Sequence, residues 1–243
     1  MSTAKKIALI TGANKGIGFE VAKQIAKAGV TVLLGARNKA LGDAAAAKLK
    51  ADGLDVQFLH IDATDNASIT AAAASIESQF GKLDILINNA GIIDHADGPP
   101  STASLDAVER TLHTNFLGPI AIVQAMLPLL HKAPSANIVN VSSGLGSLTQ
   151  NGDLNYFGAF AKFIGYNSSK AALNMLTVQL AYELRETKIK VNSADPGYTA
   201  TDLNDNRGTQ TIGEGSEEII RLALINEDGP SGTYSDRNGI VPW

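Results

Sequence analysis

Six short runs of Val, Ile and Leu recur along this chain, each nearly continuous in apolar character. They are IALIT (7–11), VTVLLGA (30–36), VQFLHI (56–61), LDILINN (83–89), NIVNVSS (137–143) and IKVNSADPG (189–197). A strand with one face in water alternates apolar and polar residues. A strand covered on both faces does not, and that is the habit of parallel sheets. Ala-rich stretches at helical spacing separate the runs, at 17–28, 39–51, 66–80, 104–131 and 167–186. Strand and helix in regular alternation predict an α/β fold: a doubly wound, Rossmann-like parallel sheet with right-handed crossovers. No linker, repeat or composition shift interrupts the pattern, so residues 1–243 read as one domain. Its length is enough for one large core.

Such sheets bind ligands at the carboxyl ends of their strands, where the winding reverses. The first run ends in TGANKGIG (11–18). Glycines between a strand and a helix let phosphate oxygens approach helix N-terminal amides. The spacing is G-x-x-x-G-x-G, which is neither the general dinucleotide fingerprint nor a Walker A loop. Gly12, Asn14, Lys15, Gly16, Ile17 and Gly18 are the cofactor candidates in this turn. The second run ends in GARN, with Arg37 where an acid would favour the unphosphorylated ribose of NAD. Arg37 and Lys15 together suit a 2′-phosphate, so the expected cofactor is NADP(H). Asp62 ends the third run and could reach an adenine edge. Asn89 and Gly91, in NNAG (88–91), end the fourth, where the backbone must pass close to the cofactor.

Composition removes several alternatives. There is no cysteine, which excludes disulfides and thiolate chemistry. The four histidines (60, 95, 113, 131) show no metal-ligand spacing, so no metal is expected. No G-x-S-x-G elbow is present. The net charge of −4 comes without a basic patch, which argues against nucleic acid or an anionic membrane as partner. The polar start MSTAKK is unlike a signal peptide and no segment reads as a membrane span. A cytoplasmic globular protein is expected.

One further stretch, GYNSSK (165–170), puts Tyr166 and Lys170 four residues apart in a helical region. That spacing is one turn, about 6 Å along the axis, on one face. A nearby ammonium is expected to draw the phenol's pKa down from about 10 toward the working range.

The motifs TGANKGIG, NNAG, HTNFLG (113–118), VNVSS (139–143), YNSSK and ADPGYTAT (194–201) stand in the order found in the short-chain dehydrogenase/reductase family. The chain resembles that family from Thr11 to Thr201. The resemblance implies a catalytic set of Asn115, Ser143, Tyr166 and Lys170, and a nicotinamide-contacting segment with Pro196, Gly197 and Thr201. It implies that Tyr166 is the proton donor and that Lys170 also binds the nicotinamide ribose. It further implies that Asn115 holds a water linking Lys170 to solvent. The choice of Ser143 over Ser142 comes from the resemblance.

Ser143 and Tyr166 are 23 residues apart, farther than in many members of the family. The added stretch, DLNYFGAFAKF within 153–164, carries Tyr156, Phe157, Phe160 and Phe163. Phe157, Phe160 and Ile164 would share one stripe of a short helix. Such a helix would pack on the core, wall the substrate pocket, or cover the face that related tetramers use for assembly. The insertion, the NKGIG loop and the ending GTYSDRNGIVPW resemble the carbonyl-reductase branch, which implies NADPH dependence, varied ketone, aldehyde or quinone substrates, and a monomer. Residues 199–215, rich in Gly, Thr and Asn, read as a mobile substrate loop. Ile92, Ile93, Leu145 and Tyr198 would line an apolar pocket for a small, fairly hydrophobic carbonyl compound. Two other readings remain: a 3-oxoacyl-thioester reductase, for which Arg207 and Arg221 are the candidate cations, and a non-catalytic NADP-binding protein.

Overall fold

A computed structural model describes residues 5–243. Its centre is an eight-stranded sheet in the order β3-β2-β1-β4-β5-β6-β7-β8. The strands are β1 (Ile7–Ile10), β2 (Thr31–Ala36), β3 (Val56–His60), β4 (Ile85–Asn88), β5 (Ala136–Val141), β6 (Ile189–Ala194), β7 (Tyr234–Asp236) and β8 (Gly239–Ile240). All neighbours pair parallel except β7 and β8. The six expected strands are present, and the C-terminal segment adds the last two. The helices are α1 (Gly16–Lys27), α2 (Lys39–Ala51), α3 (Asn66–Phe80), α4 (Leu105–Leu112), α5 (Gly118–Leu130), α6 (Leu148–Gly152), α7 (Ile164–Glu183) and α8 (Ile212–Ala223).

The continuous apolar runs have the cause proposed for them. Ala8 and Ile10 of β1 join one core with α1, α2 and α8. Ile7 and Leu9 of the same strand join a second core with α3, α5 and α7. Both sheet faces are therefore dry, and each fully buried Leu or Ile contributes roughly 1.5–3 kcal/mol. The chain winds outward from β1 through β2 to β3, then restarts at β4 on the other side of β1. That reversal puts a crevice at the carboxyl ends of β1 and β4.

Four expectations need correction. The stretch expected as one helix over 104–131 is α4 and α5 joined by a π-helical segment, His113–Leu117. The whole of Leu105–Leu130 is long and apolar enough to cross a membrane by length and composition, contrary to expectation. Its apolar residues Ile122, Val123, Met126, Leu129 and Leu130 are instead buried against the sheet. The loop expected over 199–215 stops at Thr211, whose side chain and Glu214 form a reciprocal cap that starts α8. The insertion is not one amphipathic helix packed on the core. It is an irregular stretch built around a 3₁₀ turn at Phe157–Phe160, running from the end of the short α6 to the start of α7. A 3₁₀ turn eclipses residues three apart, so Phe157 and Phe160 meet edge to face with ring centres 5.5 Å apart. Both remain more than 60% exposed. Nor does the insertion cover the apolar stripe of α7, where Met175, Val178 and Tyr182 stay exposed.

Candidate active site

At the carboxyl end of β1 the chain turns sharply. Gly12 has a φ of 64°, and a Cβ there would lie 2.8 Å from the Ala90 backbone. A side chain on Gly18 would collide with the Asn89 amide, so α1 packs against the NNAG turn only because Gly18 has none. Asn89 does not point outward. Its Nδ2 donates to the carbonyls of Thr11 at 2.8 Å and Gly12 at 3.2 Å, and so fixes the loop's shape. The Thr11 hydroxyl accepts from the Asn89 and Ala90 amides. Asn14 and Ile17 are half-buried in the same turn.

The donor set fits a dinucleotide phosphate. Asn38, Asp65 and Thr211 cap the N-termini of α2, α3 and α8 with their side chains. The Lys15 side chain makes no such cap on α1, and no acid stands in its first turn, so that helix end keeps amides to offer an anion. Arg37 is exposed at the end of β2. Asp62 accepts from the Thr64 amide and hydroxyl at 2.9 and 2.8 Å. Burial pushes its pKa up, but those bonds and the nearby Arg37 charge outweigh it, and the net direction is down. Lys15 differs from expectation: its ammonium lies 2.8 Å from Asp202. Two cations without a carboxylate was the sequence reading, and folding brings a carboxylate to one of them.

The second group of residues gathers at the ends of β4, β5 and β6. A Cβ on Gly91 would lie 3.4 Å from Asn115 Oδ1 and 3.6 Å from Lys170 Nζ, which puts the NNAG turn, Asn115 and Lys170 at one place. Lys170 Nζ is 5.5 Å from the Tyr166 ring centre and donates to the Val141 carbonyl at 2.8 Å. The two serines separate as β5 ends. Ser142 is buried against the backbone of α7. Ser143 keeps some exposure, and its hydroxyl is a hydrogen-bonding neighbour of the Tyr166 phenol. Ser143 Oγ accepts from the Leu145 amide at 3.2 Å, which leaves its own hydrogen free to donate. Asn115 sits in the π-helical segment, a distortion frequent at functional sites. Its Nδ2 donates to the Ile92 carbonyl and to Ser169 Oγ, and its Oδ1 accepts from the Ile92 amide.

Electrostatics correct one expectation. Burial pushes the Tyr166 phenol up to about 12, against a smaller lowering by Ser143. Burial also pushes Lys170 down to about 8. Both members of the pair are taken out of water, and desolvation disfavours the charged form of each. The ammonium does not win over burial of the phenol.

Two acids at this end escaped the sequence reading. Asp97 caps α7, accepting from the Gly165 and Tyr166 amides at 2.9 Å each, and so sets the first turn that carries the tyrosine. Only a DG before PP marked it in the sequence. Asp195, within the ADPG segment, stands beside Tyr166 and Lys170. Its carboxyl is pushed up to about 6, chiefly by burial. Pro196 leads into Gly197, which has a φ of 67°, and a Cβ on Gly16 of the glycine turn would meet the Thr201 methyl at 3.8 Å. Among the described residues, no cluster of His, Cys, Asp or Glu could hold a metal.

A glycine turn at the switch point of a doubly wound sheet, with a buried tyrosine–lysine pair beside the adjoining NNAG turn, defines a class: dinucleotide-dependent oxidoreductases. Known proteins narrow it. The family model for short chain dehydrogenases matches residues 6–211. Short-chain dehydrogenase/reductase 1 of Saponaria officinalis is 34% identical, covering 98% of this chain and 96% of that protein. The NADPH carbonyl reductase 1 of Sus scrofa is 32% identical, over 100% of this chain and 96% of that protein. The crystal structure of NADPH-bound carbonyl reductase from chicken fatty liver superposes with a TM-score of 0.84 at 30% identity, covering 99% of this chain and 100% of the other. The chain belongs to the short-chain dehydrogenase family.

Proposed function

We propose that this protein is an NADPH-dependent carbonyl reductase, with Tyr166 as proton donor to the substrate oxygen. The observation that carries the reading is the buried Tyr166–Lys170 pair beside Ser143 and next to Gly91 of the NNAG turn. Arg37, exposed at the end of β2, would hold the 2′-phosphate, and Lys15 would share it by leaving Asp202. NADPH, when bound, supplies the hydride.

The residues of this chain do the rest. Ser143 donates its free hydrogen to the carbonyl oxygen and stabilises the charge that grows there. Tyr166, held as a neutral phenol by its burial, gives its proton to the alkoxide, which is the stronger base. The raised phenol pKa therefore suits reduction better than oxidation, because only the reverse reaction needs a phenolate. Lys170 spends one of its three hydrogens on Val141, leaving two for ribose hydroxyls and for proton return. Both amide hydrogens of Asn115 are committed, so a water linking Lys170 to solvent would donate to an oxygen of Asn115.

Exposed rings of Phe157, Phe160 and Tyr198 favour a substrate with apolar surface; Phe157 and Tyr198, the latter next to Gly197, are 6.3 Å apart. The thioester reading is weaker. Arg221 is ion-paired with Glu218 at 2.6 Å and Arg207 with Asp205 at 3.3 Å, so neither is free for a carrier phosphate. The test is NADPH oxidation with aryl ketones, diketones, quinones and acyl thioesters. Ketones or quinones should turn over, and Tyr166→Phe should lose at least about 100-fold in kcat while still binding NADPH. Near-normal turnover by that variant would remove Tyr166 from the role.

A further inference from the structure

Asp195 lies between the two turns that frame the site. Its Oδ1 accepts from the Gly197 amide at 2.8 Å, in the turn assigned to the nicotinamide. Its Oδ2 stands 3.0 Å from where a Gly144 Cβ would project, and the Gly144 amide also directs a hydrogen bond at the carboxylate. Gly144 follows Ser143 directly. The Asp195 amide is fastened to the Ser235 carbonyl at 2.8 Å, so the residue is fixed at its backbone as well. Nearby guanidinium groups are committed elsewhere: Arg237 to Glu214 and Glu217, Arg221 to Glu218.

The groups that face this carboxylate are Tyr156 from the insertion, Tyr166 and Lys170 from α7, and Tyr234 and Asp236 from β7. Glu214, Glu218 and Arg237 line the crevice behind it. Lys170 is therefore the one uncommitted cation in its reach among the described residues. Both turns need what this side chain gives, since neither the Gly144 nor the Gly197 amide can be capped by its own glycine.

We propose that Asp195 is a positioning residue: one carboxylate ties the Ser143–Gly144 turn to the Pro196–Gly197 turn and sets a fixed negative charge behind Tyr166 and Lys170. The proposal rests on the reading of the site as a carbonyl reductase. Its charge opposes loss of the Lys170 proton and also opposes formation of the Tyr166 phenolate. Both effects keep the pair in the protonation states that reduction needs. Desolvation by itself disfavours the ammonium, and Asp195 works against it.

The test compares wild type with Asp195→Asn, which keeps shape and one acceptor oxygen, and Asp195→Glu, which keeps charge. With the ketone that wild type reduces best, the asparagine variant should lose about tenfold in kcat, as a slightly misplaced catalytic group does. Its Kd for NADPH should stay near the wild-type value. The alkaline limb of its kcat profile should move down by about one pH unit, because Lys170 has lost the charge that holds its proton. The glutamate variant should keep the limb near its wild-type position. In cofactor-free protein, the Tyr166 phenolate absorbance, isolated by subtracting the matching Tyr166→Phe variant, should appear at lower pH in Asp195→Asn than in wild type. A limb and a phenolate titration that both stay put overturn the proposal, whatever happens to kcat, since a purely structural clamp would leave them unmoved. If the asparagine variant does not fold, Asp195→Ser removes the charge and gives the same two readouts. A wild type that reduces no carbonyl overturns the reductase reading instead, and the phenolate titration still decides this one.

Discussion

The glycine turn after β1 and the insertion before α7 are built differently. Around the turn, Gly12 and Gly18 touch backbone and Asn89, and the Thr11 hydroxyl and the Asn89 amide group are tied to strand-end backbone. Around the insertion, Phe157 and Phe160 touch each other and Tyr198, and otherwise face outward. The cofactor's shape is constant, so the chain can match it with fixed backbone. A carbonyl substrate meets side chains on short turns, which can change without disturbing the sheet. The difference separates what this site must do from what it selects.

The largest break in that contrast should come from Arg37. Replacing it by Asp removes a charged hydrogen-bonding fork and adds repulsion toward a 2′-phosphate. A charged hydrogen bond is worth about 1.5–3 kcal/mol, so the NADPH-over-NADH ratio of kcat/KM should fall about 100-fold. An unchanged ratio would mean that Lys15, released from Asp202, carries the selectivity alone.

Next in size is the pH dependence of the catalytic pair. Lys170, lowered by burial to about 8, is an ammonium below that pH and neutral above it. If its charge supports proton delivery, ketone reduction should hold level up to about pH 8 and then fall toward tenfold per pH unit. Tyr166, at about 12, stays a phenol throughout and adds no limb in that range. A flat profile to pH 10 would show that the ammonium is not needed.

How far the sequence foretold this arrangement follows the same division. The strand runs were legible because burial on two faces removes alternation, and the phosphate turn was legible because glycine at a strand end has few other uses. Ser143 could be named only by resemblance, since a strand end alone does not say which side chain faces the site; Ser142 turned out to face α7. Lys15 was misjudged because Asp202 is 187 residues away and no local pattern announces an ion pair. The tyrosine pKa was misjudged because charge proximity can be read from spacing, whereas desolvation depends on what the whole fold lays over the ring. Asp97 and Asp195 share the reason given for Lys15: the Gly165 and Tyr166 amides and the Gly144 turn reach them through tertiary structure, although Asp195 also accepts from Gly197 two residues on.

Gly18→Ala sharpens the contrast through stability. The added methyl would press on the Asn89 amide and lie 2.8 Å from the Gly12 carbonyl, with backbone on one side. Overpacking of that kind costs about 1–3 kcal/mol. A thermal melt should show a drop of several degrees together with weaker NADPH binding, since Asn89 holds the turn.

The matching change in the insertion is Phe157→Ala, and it should do least to the fold. It removes far more atoms than Gly18→Ala adds, yet the ring is 66% exposed and its contacts are with Phe160 and Tyr198. Exposed positions of this kind usually change stability by less than about 0.5 kcal/mol, so the melting temperature should hold. The effect should appear in KM, raised a few-fold for ring-bearing ketones and unchanged for small aliphatic aldehydes, because only the former have surface to lay against the two remaining rings. A large fall in melting temperature would place Phe157 in the core and undo the comparison. Equal KM changes for both substrates would instead detach the insertion from substrate choice and leave the turn after β6 as the wall that selects.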